Sequence, residues 1–215
     1  MLFIPPMVPS IITSVIVAIS KFATTLGPMI TKYVPIMIET LGKHLPKVLQ
    51  TIEAIGLTTN VLRPNERTEE LGAKAMAANK TPEDFEQVND YIDYLRNEVE
   101  VDSEKLSQDP VDSTIRHVVG ATIALKGVGE VIGTELSLPF LRTVSQLGLE
   151  PKLILAIVKS YAKSGLSADD VEQYLSDKLT IEQSQRHSEA LVSAYQFVDP
   201  ELDRQQAEDA VINLR

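Results

Sequence analysis

From Pro9 to Leu57 the chain is strongly apolar, but prolines at 9, 28, 35 and 46 divide it, and its longest proline-free run is Ser10 to Gly27. A proline inside a helix removes one backbone donor and crowds the preceding turn, so such a tract folds as short helices meeting at joints. Three pieces follow. Ser10–Gly27 is bracketed by Pro9 and Gly27-Pro28. Met29–Leu41 contains Pro35, where a kink or break is expected. Lys47–Leu57 places Val48, Leu49, Ile52 and Ile55 at helical spacing.

Ser10–Gly27 is sharply two-faced when wound at roughly 100° per residue. Ser10, Thr13, Ser14, Ser20, Lys21, Thr24 and Thr25 share one arc, into which only Val17 intrudes. Ile11, Ile12, Val15, Ile16, Ile19, Phe22, Ala23 and Leu26 fill the rest. Most surface helices show Glu and Lys to water; this one shows hydroxyls and a single charge. As one helix it would span roughly 27 Å, close to the ~30 Å hydrocarbon core of a bilayer.

Charge is uneven. Residues 1–60 carry Lys21, Lys32, Lys43 and Lys47 against Glu39 and Glu53, while the whole 215-residue chain has a net charge of −10. That acidity argues against nucleic acid as a partner, since phosphate binding needs a basic footprint. With 44% hydrophobic and 23% charged residues the composition is that of a globular protein. Cysteine is absent, which excludes disulfides and thiolate chemistry. MLFIPPMVPS has no basic n-region and is interrupted by Pro5, Pro6 and Pro9, so no cleavable signal peptide is expected. The chain reads as soluble in the producing cell, and any export as leaderless.

Thr58–Asn65 is polar and turn-prone, and marks a boundary between an apolar unit, residues 1–60, and an acidic helical domain, residues 61–215. The second part is rich in helix caps. Thr81-Pro82-Glu83-Asp84 opens a helix with Phe85, Val88, Ile92, Leu95 and Val99 along one stripe. Asp109-Pro110, Glu150-Pro151, Ser167–Asp170, Thr180–Gln183 and Asp199-Pro200-Glu201 open others, and Gly165 ends one. Val118–Leu149 is a second apolar tract, with Lys126, Glu130, Glu135 and Arg142 inside it. Lys74–Gln87 and Lys159–Gln173 echo each other as helix end, turn and capped acidic helix. No convincing strand pattern appears. The fold class is all-α: a bundle of eight to ten helices with a proline-segmented apolar N-terminal unit.

Catalytic patterns are missing. His44, His117 and His187 form no H-x-x-x-H or H-E-x-x-H spacing and read as surface or satisfied core histidines. Glu130 and Glu135 lie near Lys126 and Arg142, which favours an ion pair or an exposed face over a raised carboxyl pKa. Gly127-Val-Gly129 starts like a dinucleotide fingerprint but lacks a preceding strand, and its third glycine falls one residue late, at Gly133. Gly129–Gly133 has the G-x-x-x-G spacing that permits close helix crossing. No nucleophile elbow is present. The chain reads as non-enzymatic, with no cofactor and no metal.

The function expected is membrane insertion by a helical protein kept soluble until delivery, a pore-forming toxin or secreted effector. Ile11, Ile12, Val15, Ile16, Ile19, Phe22 and Leu26 would meet lipid, and Thr13, Ser14, Ser20, Lys21, Thr24 and Thr25 would line a polar path. The alternative is an oligomeric scaffold, for example of a phage particle or secretion machine, that assembles through the same apolar face. Partners are accordingly lipids, further subunits, or a chaperone or immunity protein that shields the helices.

Overall fold

The computed structural model describes residues 9–102 and 105–215, with side chains from residue 12 onward. Eleven α-helices and no strand occur among the described residues. The chain divides into two compact units, one ending at Glu135 and the other running Leu136–Arg215. The boundary read at Thr58–Asn65 is a turn, with Asn60 and Asn65 at positive φ, but it lies inside the first unit.

That unit contains α1 (Pro9–Lys21), α2 (Ala23–Leu41), α3 (Leu45–Thr58), α4 (Thr68–Ala77), α5 (Val88–Glu98) and α6 (Pro110–Ile132). It is built around α6 rather than around the N-terminal helices. Every residue from Thr114 to Leu125 is buried, and α1 to α5 all pack on α6. A helix apolar on all sides can be satisfied only by neighbours on all sides. Asp109 starts it, its carboxylate accepting from the Val111 N–H at 2.8 Å and the Asp112 N–H at 3.3 Å.

The closest crossing is between α4 and α6, where Gly72 meets Gly120. A Cβ on Gly72 would lie 1.9 Å from the Arg116 carbonyl oxygen, and one on Gly120 would lie 1.8 Å from the Thr68 carbonyl oxygen. The G-x-x-x-G pair at 129 and 133 has a different use. Gly133 takes the left-handed conformation that ends α6, and the Thr134 N–H reaches back to the Gly129 carbonyl at 3.1 Å.

Three helix boundaries differ from the sequence reading. Pro35 is carried within α2 at helical dihedrals, and the break falls at Gly27 instead (φ 75°, ψ 167°). Thr81–Asp84 opens only a 3-10 turn, Pro82–Asp84; the α-helix starts at Val88 because Phe85 is extended (φ −125°, ψ 151°). The last helix begins not at Pro200 but at Arg204, after Asp203 and Gln206 form a capping box with N···O distances of 2.8 and 2.9 Å.

The second unit comprises α7 (Leu138–Leu147), α8 (Pro151–Ser164), α9 (Val171–Leu175), α10 (Ile181–Val198) and α11 (Arg204–Ile212). α8 packs on α10, and α10 on α11. Gly148 and Gly165 end α7 and α8 in the left-handed conformation. The internal echo has a local structural counterpart. Helix, 3-10 turn, helix, long helix occurs in both units, with Arg116-His117 in α6 and Arg186-His187 in α10.

Candidate functional site

α1 is the two-faced helix, but it is thirteen residues long, about 20 Å at ~1.5 Å per residue. The eighteen-residue helix anticipated from the sequence is not formed. No helix among the described residues is long and apolar enough to cross a membrane. Burial follows the wheel for most of this stretch, although Ala23 of the apolar arc is exposed. Val15, Ile19 and Leu26 are buried; Ile12, Ile16 and Phe22 are half-buried. Thr13, Ser14, Ser20, Lys21 and Thr24 are exposed, and Thr25 is half-buried. Val17 is 56% exposed among the hydroxyls. The Ile11 side chain lies outside those described. The apolar arc is thus turned inward onto α2 and α6, and the hydroxyl arc faces out, where the Ser20 hydroxyl donates to the Val17 carbonyl at 2.7 Å.

Two joints connect this arm to the rest of the unit. Phe22 leaves helical geometry (φ −99°, ψ 12°), and five residues later Gly27 adopts a φ, ψ pair almost confined to glycine. Beyond Gly27 the helix restarts at Pro28 with no local cap. Glu83 supplies one: its Oε1 accepts the Met29 N–H at 2.6 Å, and its side chain lies so close over Gly27 that a Cβ there would sit 2.1 Å from Oε2. A carboxylate at a helix N-terminus satisfies a backbone donor and opposes the positive end of the dipole.

The same device recurs. α5 has no local cap, and Glu130 of α6 accepts from the Val88 N–H at 2.6 Å, the Asn89 N–H at 3.0 Å and Asn89 Nδ2 at 2.7 Å. α4 also lacks a local cap, and Glu53 of α3 accepts from the Thr68 N–H at 3.1 Å and its hydroxyl at 2.9 Å. Glu135 pairs with Lys126 at 2.7 Å, while Arg142 pairs with Glu172.

A buried polar cluster lies beside the α4–α6 crossing. Arg116 Nη2 donates to Glu69 Oε1 at 2.8 Å, Ser113 donates to the same oxygen at 3.1 Å, and His117 Nε2 lies 3.4 Å from Oε2. Burial raises the Glu69 pKa, but Arg116, His117 and Ser113 outweigh it and hold the carboxyl below its ordinary value. Burial pushes the His117 pKa down, against the pull of Glu69 and Glu53, and its Nδ1 is buried with no hydrogen-bond partner. In the second unit His187 is also buried. Its Nδ1 lies 3.1 Å from the Tyr161 hydroxyl, and its ring stacks on Tyr174 with centroids 6.0 Å apart.

Sequence reasoning missed these clusters because their members lie up to 47 positions apart. Arg116-His117 offered the one local signal, a charged pair inside an apolar run. Among the described residues no group of three His, Cys, Asp or Glu side chains is arranged to hold a metal ion. The Glu69 cluster joins α4 to α6, with Arg116 and His117 buried and the Glu69 side chain 28% exposed. The N-terminal arm turns its hydroxyl arc outward. Comparison with family models, with curated proteins and with solved structures finds no match.

Proposed function

We propose that this chain is a non-enzymatic assembly protein that acts through its N-terminal arm, exchanging α1 with a second copy or lending it to a partner subunit. The observation that carries this reading is the joint at Gly27. A short amphipathic segment, α1 with the turn that follows it to Leu26 and anchored by Val15, Ile19 and Leu26, is attached through a glycine-only conformation to a unit whose core is α6. Rotation about such a joint moves residues 9–26 without unwinding the helix from Pro28 onward, and the vacated apolar surface is complementary to the same segment from another molecule. Arm exchange of this kind preserves the buried contacts and adds only the cost of association.

One observation favours a second reading, action on membranes as a delivered toxin or effector. Lys21, Lys32 and Lys43 are exposed on the N-terminal helices and the turn after α2, in a chain of net charge −10. Lysines near an anionic surface each contribute about 1 kcal/mol. One experiment separates the two. Full-length protein is sized by light scattering over a wide concentration range, and is added to dye-loaded anionic vesicles. Assembly predicts a concentration-dependent rise in mass and intact vesicles. Dye release from a monomeric sample supports the membrane reading and overturns assembly, and a strict monomer that spares vesicles overturns both.

A further inference from the structure

The second unit carries a groove between α8 and α10. Ala156 and Ala194 form its floor, and Phe197, 70% exposed, forms one wall. Its volume is about 250 Å³, below the roughly 300–1,000 Å³ of sites that enclose whole small molecules. It admits an anchoring side chain of something larger. The hydroxyls on its margin are already engaged: Ser160 donates to the Ala190 carbonyl at 2.7 Å and Ser193 to the Glu189 carbonyl at 2.8 Å.

Polar recognition therefore falls to Lys159 and Lys163, one helical turn apart on α8 and both exposed. Three arginines of this unit, Arg142, Arg204 and Arg215, are paired with Glu172, Glu208 and Asp177. Lys159 and Lys163 have no acidic partner among the described residues. Position near the helix C-terminus accounts for Lys163, but Lys159 lies more than a turn inside α8. Two like charges at this spacing repel modestly, and here they flank an exposed aromatic ring.

We propose that this groove docks an acidic amphipathic helix of a partner protein, with an apolar anchor resting on Ala156 and Ala194 against Phe197 and flanking carboxylates meeting Lys159 and Lys163. The apolar floor fixes the anchor, and the lysine pair selects for acid over base. The occupant is a protein segment rather than a free anion, because an anion alone leaves the aromatic wall unused.

The test uses the full chain and two fluorescent synthetic peptides of about eighteen residues, long enough to form a helix. One carries leucines along one face and glutamates beside them; the other has glutamine at every glutamate. At low salt the acidic peptide should bind at least ~10-fold more tightly than the neutral one, and high salt should remove the difference. Lys159→Glu with Lys163→Glu should abolish the preference, and Phe197→Ala should weaken both peptides. Lys152→Glu, at the other end of α8, should change neither. Circular dichroism melts of each variant establish that it is folded. Equal binding of the two peptides, or an unchanged preference in the double lysine variant, overturns the proposal. So does Lys159- and Lys163-dependent binding to anionic vesicles without peptide binding.

Discussion

The Glu83 carboxylate accepts the Met29 N–H at 2.6 Å across the break at Gly27, joining residues 54 positions apart. A local side chain cannot cap this helix start, because Gly27 has none and Leu26 is apolar. Glu53 and Glu130 do the same for α4 and α5. Three helix N-termini of the first unit are thus completed by glutamates from elsewhere in the fold, so each cap forms only when the tertiary structure does.

Glu83→Ala should cost about 1 kcal/mol, the ordinary value of a lost helix cap. Gly27→Ala should cost more, about 2–3 kcal/mol, since φ is +75° and the new Cβ meets Glu83 Oε2 at 2.1 Å and Thr81 Cβ at 2.9 Å. Part of that second cost is a clash with Glu83. Gly27→Ala should therefore be less damaging in the Glu83→Ala background than alone, and urea denaturation of the four proteins measures the coupling.

Glu130→Ala removes the acceptor for Val88 N–H, Asn89 N–H and Asn89 Nδ2 at once. A loss of about 1–2 kcal/mol is expected. Hydrogen exchange localises it: the Val88 and Asn89 amides should lose protection relative to those in the middle of α6. Uniform loss across α6 would show instead that Glu130 supports the whole unit.

The all-α class was legible in the sequence because proline, glycine and cap residues punctuate it. Asp109-Pro110 and Thr180–Gln183 act locally, and the structure uses them as read. The two faces of α1 were legible for the same reason, since a wheel needs only neighbours. Which face would be covered was not, because α2 and α6 supply the cover. The helix start at Val88 was also hidden: its cap comes from Glu130, which sequence reasoning assigned to an ion pair or an exposed face. The importance of α6 was partly visible in the apolar tract from Val118. The role of Gly120 needs Gly72, which lies 48 positions away in a short helix of which the sequence reading took in only the end.

That crossing yields an expectation opposite to the usual one. Replacing glycine by alanine inside a helix ordinarily stabilises it by about 1 kcal/mol. Gly120→Ala should instead destabilise by about 3 kcal/mol or more, because a Cβ would lie 1.8 Å from the Thr68 carbonyl oxygen and 2.8 Å from the Gly72 nitrogen. Gly129→Ala is the control, with its nearest contact at 3.3 Å. A thermal melt that ranks Gly129→Ala well above Gly120→Ala supports the close approach; equal melts would refute it.

Acid should unfold the chain in two stages, and the sign follows from the buried groups. His117 and His187 are held neutral by burial, with pKa values below the ordinary 6.5. The unfolded chain therefore binds protons that the folded one refuses once pH drops below about 6.5. Stability should be at its plateau above that value and fall as pH is lowered towards the folded-state pKa values. For His117 the surrounding charges are Glu69 and Glu53, which favour protonation, and Arg116 and Arg67, which oppose it. Below the ordinary carboxyl value of 4.5 a second loss begins. Glu69, bonded to Arg116, and Glu66, bonded to Arg96 at 2.6 Å, both have lowered pKa values and must there be protonated. Urea unfolding between pH 8 and pH 5, roughly the span over which histidine titrates, should show the first slope, and His117→Gln should flatten it in part, leaving the share due to His187. An unchanged slope in that variant would mean that His117 takes up no proton on unfolding and that its burial is not what the fold sets against acid.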